Sequence, residues 1–373
     1  MEVEFYRHNI GHAEKEAVLQ VLDSIFLSTG TWVYRFEKDL ANYVGVKHAV
    51  GVNSCTAALH LSLLAVGIGP GDEVITTPMT FVATSLAILH VGATPIWVDV
   101  ERETGNIDAS LIENAITDKT KAILPVHLYG QMTDMGNIRK IADKYGLYVI
   151  EDAAHALESR RDGIKVGQLG DTACFSFYAT KSITSGEGGA VVTNSDELAN
   201  KIRVLRNHGI DSEAAERYTG MYKHWDLSEI GWKYNMDNIQ AALLVPQMEK
   251  LTPFQKKRES IYHRYRAALM GIPNVSMPDL VSDSVSGHHL FTIWVDPKRR
   301  DSILEKLQEK GIGVAVNYRA IHLLTKFQTL FGRKRGSFPN AEEIGDSTIS
   351  IPFYPGLKDR EIDHVVTCLK ELV

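Results

Sequence analysis

Seven short β-rich runs constrain this chain more than any other feature of its sequence. They are HAVGVN (48–53), EVITT (73–77), TPIWV (94–98), AILPV (122–126), LYVIE (147–151), ACFSF (173–177) and GAVVT (189–193). Between most of them lie segments with helical periodicity, such as TAALHLSLLAVG and NIRKIADKYG. Strands separated by helices of that length are joined by crossovers, so the pattern is α/β, with a mostly parallel seven-stranded sheet between helices.

From about residue 238 a helical pattern, NIQAALLVPQMEKL and onward through YHRYRAALM, carries the chain out of this unit. Pro246 and Pro253 are expected to kink or break it. The remainder reads as a strand (HHLFTIWV), a helix from Arg299, a strand (IGVAVNY), an irregular stretch, a short strand (TISIP) and a final helix from Lys358. The expected organisation is an N-terminal arm and large α/β domain over 1–245, then a smaller α+β domain over 246–373. A length of 373 residues, about two to three times that of a common domain, suits this division. No internal repeat or low-complexity tract interrupts it.

Hydrophobic residues at 44% and charged residues at 23% describe an ordinary soluble globular chain. A formal charge of −6 provides no global attraction to nucleic acid or anionic membrane, so neither is an expected partner and an anionic ligand must meet local positive groups. The three cysteines, Cys55, Cys174 and Cys368, are odd in number and far apart, which argues against a disulfide framework and against a zinc site. No metal is expected, and the natural compartment is the reducing cytoplasm. The opening MEVEFYRHNIGHAEKEAV has no apolar signal core, and nowhere do eighteen apolar residues run together, so no membrane segment is expected.

Three segments carry chemistry. SCTAALHL (54–61) follows a strand and opens a helix, where free amides, the positive dipole end and the Thr56 hydroxyl suit a phosphate. Most helix starts of this kind only cap. LYVIEDAAHALES runs an apolar strand into Asp152 and His155, at the strand end where open α/β sheets bind ligands. A buried Asp152 can hold a pyridinium nitrogen protonated, and His155 can reach the ring or its phenolic oxygen; taken alone, Asp152 is more often a helix cap and His155 a packed or solvated helix residue. ACFSFYATKSITSGEGGAVVT places Ser176 and Lys181 in a turn before a glycine-rich return strand. Partial desolvation there can lower the pKa of Lys181 and fit it to add to an aldehyde, although a lone lysine is more often a surface residue. No GxxxxGK precedes Lys181, which excludes a phosphate-binding loop of that type.

Together these segments resemble the sugar aminotransferase branch of the fold-type-I pyridoxal-phosphate enzymes, the DegT/DnrJ/EryC1/StrS family. The resemblance spans nearly the whole chain: FYRHNIGHAEKEAV, LSTG, GVNSCTAALHL, GPGDEVITTPMTFVAT, VGATPIWVDV, LPVHLYGQ, VIEDAAHA, FSFYATKS with GEGGAVVT, LRNHG, GWKYNMDNIQAAL and NYRAIH. The closest likeness is to enzymes that aminate the 4-keto group of UDP-linked sugars. It implies pyridoxal 5′-phosphate as cofactor, with Lys181 binding its aldehyde and shuttling the proton, and Asp152 pairing with the ring nitrogen. It further implies that Thr56, Ala57 and Ser176 hold the phosphate, that Phe81 stacks on the ring and that His155 lies near the phenolic oxygen. By composition alone Phe81 would be a core residue. The segment GWKYNM, where many relatives read GYNYRM, makes Asn235 and, more weakly, Lys233 the residues that reach a neighbouring subunit's phosphate. That implies a homodimer with shared active sites; the alternative for Asn235 is a cap on its own helix. Asn317 stands where relatives often have His, leaving Arg319 and His322 as substrate-binding groups of that motif.

The expected reaction is therefore transamination from an amino acid, glutamate by resemblance, to a keto sugar linked to UDP or dTDP. A dehydratase of the same family is the alternative, against which Lys181 counts, because such relatives carry His there. A sensor that keeps the fold without catalysis is a third reading. A nicotinamide dehydrogenase fails, because GIGPGD (67–72) precedes a strand and lacks GxGxxG.

Overall fold

The computed structural model describes residues 1–210 and 224–373. Its central sheet has seven strands: β1 (His48–Val52), β2 (Glu73–Thr76), β3 (Thr94–Trp97), β4 (Thr120–Ile123), β5 (Tyr148–Asp152), β6 (Thr172–Ser176) and β7 (Gly189–Thr193). Their spatial order is β1-β7-β6-β5-β4-β2-β3. From β3 to β6 all pairings are parallel, whereas β7 runs antiparallel to both β6 and β1. The carboxyl ends of β1, β5 and β6 therefore meet the amino end of β7 on one edge of the sheet. Gly189 is the register partner of both Ser176 and Val52 there.

The strands are apolar on both faces, and two separate cores explain why. Ala49, Ile75, Ile123, Val149, Phe175 and Val192 point into one, together with Val33, Phe36 and Leu40 of the helix Thr31–Val44. Their immediate neighbours Val50, Val74, Ala122, Ile150, Cys174 and Val191 point into the other, against Ala58, Leu59, Leu61 and Leu63 of the helix Cys55–Ala65. Side chains alternate across a strand, so a sheet covered by helices on both faces requires continuous apolar runs. The helix Cys55–Ala65 is itself buried nearly all round, which its sequence CTAALHLSLLA permits.

The chain leaves this unit through the helix Asn238–Met248, which keeps Pro246 inside it, and the helix Leu251–Leu269, which takes Pro253 in its first turn. The interruption falls between them at Glu249–Lys250. Two antiparallel strands follow, β8 (Phe291–Trp294) and β9 (Thr348–Ile351), with the helices Arg300–Glu309 and Asp359–Leu372. They share a core of Tyr265, Phe291, Ile293, Ile349, Val365 and Leu369, which Val3 of the N-terminal arm joins. The run expected as a strand over 312–318 forms only isolated bridges. Ile312 pairs with Val3 and, three residues on, Ala315 pairs with Ser350, so the segment changes partner before either ladder can extend.

Candidate active site

The edge where β1, β5, β6 and β7 converge opens into a cavity of about 530 Å³, within the size range of small-molecule sites. Each wall follows from a local feature of the sequence. After β1 the chain turns into the helix Cys55–Ala65, whose N-cap is Ser54 in an extended conformation. The Ser54 hydroxyl accepts from the Ala57 amide at 3.1 Å. The other first-turn amides have no intrahelical acceptor, and the Thr56 side chain lines the cavity beside them. β7 reaches this helix start only because residue 189 is glycine. A Cβ there would stand 2.4 Å from the Ser54 carbonyl carbon.

β5 delivers Asp152, which is 5% exposed. Its backbone is fixed by bonds to Pro125 and from His127, and its carboxylate accepts from the Thr84 hydroxyl at 2.8 Å and the Ala154 amide at 3.2 Å. Burial raises its pKa above the ordinary value, with Thr84, Ala154, Lys181 and His127 opposing that rise. β6 ends at Ser176, and the following turn, closed by Lys181 N–H to Tyr178 C=O at 2.9 Å, presents Lys181 to the same cavity. Burial pulls the ammonium down from 10.5 to about 8, although Cys55 and Asp152 support the charge. Lys181 is thus close to the point at which a lysine is available as a base near neutral pH.

His155 follows β5 and lines the same cavity. Its Nδ1 accepts from the Tyr129 amide at 3.3 Å, and its Nε2 lies 3.1 Å from the Tyr318 hydroxyl. Burial, with Lys181 adding to it, holds His155 well below its ordinary pKa. The ring is therefore neutral, with its one proton on Nε2 directed at the Tyr318 oxygen. The His289 ring lies 4.3 Å away, and its Nε2 stands 3.4 Å from Lys181 Nζ.

Of the residues singled out in the sequence, Thr56, Phe81, Asp152, His155, Ser176 and Lys181 all line this one cavity. Phe81 is not a core residue: it is 58% exposed at the cavity and lies 5.9 Å from the Tyr318 ring. Ala57 is buried beside the lining, with its amide held by Ser54. Asn235, Lys233, Arg319 and His322 do not line the cavity. Asn235 donates to Thr29 at 2.8 Å, and the cap of the next helix is Asp237 rather than Asn235. Lys233 is exposed, with its backbone bridged to Asn207, and Arg319 is also exposed. His322 is fully buried, 2.9 Å from Glu342 and packed on Phe338. The structure adds Thr84, His289 and Tyr318, none of which had been assigned a role. Thr84 and Tyr318 sit inside the quoted segments MTFVAT and NYRAIH, but no local periodicity marks them.

The DegT/DnrJ/EryC1/StrS aminotransferase family profile matches residues 8–370. The chain belongs to that family. The spore coat polysaccharide biosynthesis protein SpsC of Bacillus subtilis (strain 168) is 43% identical over 370 residues, 98% of this chain and 95% of that protein. Helicobacter pylori PseC, an aminotransferase involved in the biosynthesis of pseudoaminic acid, superimposes with a TM-score of 0.93 at 31% identity, covering 100% of this chain and 99% of PseC. The PLP form of a candidate sugar aminotransferase from Streptococcus pneumoniae superimposes equally, with a TM-score of 0.93 at 29% identity over 100% of this chain and 98% of that one.

As a member of the DegT/DnrJ/EryC1/StrS aminotransferase family, the protein is a sugar aminotransferase dependent on pyridoxal phosphate. The residues present fit that cofactor. A buried carboxylate with a raised pKa complements a cationic ring nitrogen, a depressed lysine suits an aldehyde, and a helix start with two nearby hydroxyls suits a phosphate. Among the lining residues Lys181 is the sole lysine or arginine.

Proposed function

We propose that this protein transfers the amino group of L-glutamate to the keto carbon of a sugar linked to UDP or dTDP, a 4-keto sugar, for amino-sugar and polysaccharide synthesis. The observation that carries this reading is Lys181, half-buried, depressed to about 8 and sharing one cavity with Asp152. Pyridoxal phosphate, when bound, supplies an aldehyde for exchange with amines and a ring that accepts electrons. Lys181 would take the proton from the donor's α-carbon and deliver it to the carbon that carries the cofactor's aldehyde. Asp152, held by Thr84 and Ala154, keeps the ring nitrogen protonated. Ser176, Thr56 and the amides around Ala57 bind the phosphate, and Phe81 covers the ring. His155 can offer only its Nε2 proton, to the phenolic oxygen or to Tyr318. The polysaccharide role of SpsC and the sugar pathway of PseC support the choice of acceptor.

The same reading takes the active unit as a homodimer with shared sites. One chain lines the cavity with a single lysine and no arginine, too few cations for a phosphate and a nucleotide, so Asn235 or Lys233 of a second copy supplies further contacts. Apolar side chains stand exposed just ahead of that segment, at Trp225, Leu227 and Ile230. Three free, buried cysteines suit a cytoplasmic setting, and no helix among the described residues is long and apolar enough to cross a membrane.

The test is a panel of UDP- and dTDP-linked keto sugars incubated with nitrogen-labelled glutamate and read by product mass. Label in the sugar is the expected outcome. A sugar that is dehydrated without gaining label would assign the protein to the dehydratases instead.

A further inference from the structure

The Nζ of Lys181 has one hydrogen-bond partner among the described residues, Nε2 of His289 at 3.4 Å. His289 belongs to the smaller unit, two positions before β8, and its place is fixed on several sides. Its backbone N–H donates to the Tyr129 carbonyl at 3.0 Å, and that of Gly287 donates to the Gly130 carbonyl at 2.8 Å. So close an approach needs glycine at 130, where φ is 98° and a Cβ would stand 2.8 Å from the His288 nitrogen. The His289 ring is 7% exposed and lies 4.3 Å from the ring of His155. Packing alone would be served by an apolar ring, since a buried polar nitrogen is costly unless something bonds to it. Here that partner is Nζ. A lysine ammonium has only N–H groups to offer, so Nε2 is the acceptor and the ring proton sits on Nδ1. Burial holds His289 well below its ordinary pKa, with Lys181, His155 and Arg258 of the helix Leu251–Leu269 adding to it, so the ring keeps that lone pair. The other titratable groups that bear on Lys181 are Cys55, Asp152 and His155.

We propose that His289 is a positioning residue for Lys181: its Nε2 accepts a hydrogen bond from Nζ and holds the amine at the cavity wall whenever Nζ is not bound to cofactor. The assignment rests on the reading that Lys181 is the residue that binds the cofactor's aldehyde. Each time an amine substrate displaces the lysine, its flexible four-carbon stem is free to adopt many positions. A partner anchored in the other unit restricts that choice and keeps Nζ beside the atoms it must return to. At 3.4 Å the bond is long, so it yields readily when Nζ moves back. Because it is made to the charged form, it also raises the proton affinity of Lys181, against the burial that lowers it.

The test uses the full chain, stripped of cofactor and reloaded with pyridoxal phosphate across a series of pH values. Only a neutral amine adds to an aldehyde, so the rate at which the visible band of lysine-bound cofactor grows rises with pH through the pKa of Lys181. Wild type is compared with His289→Leu and His289→Asn, which remove the acceptor because the Asn amide is too short to reach Nζ. A third variant, His289→Gln, can place an amide oxygen where Nε2 stood. In the first two the midpoint should fall by about one pH unit, since the ammonium loses its hydrogen bond. In His289→Gln it should stay within about 0.3 of a unit of wild type. His289→Asn carries the comparison if the Leu variant does not fold. One midpoint shared by wild type and all variants overturns the proposal. A midpoint that rises in the Leu and Asn variants also overturns it, because His289 would then donate to the neutral amine. So does an equal fall in all three variants, which would assign the effect to the shape of the ring. A visible band that persists in Lys181→Met overturns the reading of Lys181 instead, so the two failures are distinguishable.

Discussion

At the scale of single residues, the charge of Lys181 bears on stability as well as on the proposed chemistry. Its folded pKa of about 8 lies below the ordinary 10.5, chiefly through burial, so the folded chain binds that proton more weakly than the unfolded chain. Below pH 8 the folded state carries the whole penalty, on the order of 3 kcal/mol. As pH rises from 8 to 10.5 the unfolded chain still holds its proton, so the penalty fades, and above 10.5 it is gone. In cofactor-free protein, Lys181→Met should therefore raise the urea midpoint at pH 7, by an advantage that shrinks steadily toward pH 10.5. Unfolding curves across that range check it. An unchanged midpoint at pH 7 would mean that Nζ is solvated. Asp152 shows the opposite sign, since burial raises a carboxylate and a bound cationic partner relieves the cost. The residue pair is thus complementary to an aldehyde at one end of a ring and a protonated nitrogen at the other.

At the scale of elements, the site depends on how closely β7 approaches the start of the helix Cys55–Ala65. The two meet at Gly189 and Ser54, with no space for a methyl group between them. Gly189→Ala should keep the fold, because the sheet is held by two buried cores, but it forces the helix start away at a cost of about 1–3 kcal/mol in overpacking. The first-turn amides then move relative to Ser176 on the neighbouring strand. Affinity for pyridoxal phosphate is expected to fall by on the order of tenfold, measured by equilibrium dialysis at unchanged far-ultraviolet dichroism. Wild-type affinity in this variant would show that the phosphate is held elsewhere. The same convergence explains why Thr56, Asp152, Ser176 and Lys181 could be located from the sequence. Each lies within a few residues of a strand end, and strand ends are marked by where the apolar run stops.

At the scale of the whole molecule, the proposed homodimer makes a sharp prediction. Lys181→Ala chains are co-expressed with Asn235→Ala chains after each variant alone is shown to be dimeric and nearly inactive. With shared sites, every mixed dimer contains one site with an intact lysine from one chain and an intact asparagine from the other, so activity should reappear in the isolated heterodimer. If Asn235 serves its own chain, each site retains one lesion and the heterodimer stays inactive. The Asn235 amide donates to Thr29 of its own chain, 206 residues away in sequence. The mixing test therefore separates a residue that reaches across from one that only ties the N-terminal arm to the Asn238–Met248 helix.

The sequence by itself determined the seven strands, the helices that cross between them and the strand-end positions of Lys181, Asp152, His155 and Ser176. These are local properties: side-chain alternation, helical period and turn residues are written in consecutive positions. It also placed the strands later found as β8 and β9, but not the failure of 312–318 to form a strand, since that depends on which partner each residue meets. Only the tertiary structure decided that Thr84 bonds to Asp152, that Tyr318 and His289 close on His155 and Lys181, and that His322 is buried against Glu342 rather than facing the cavity. Those contacts join residues 20 to 163 positions apart. The proton position on His155 was equally beyond the sequence. Burial and hydrogen-bond satisfaction are properties of pairs brought together by packing, and no single segment encodes its distant partner.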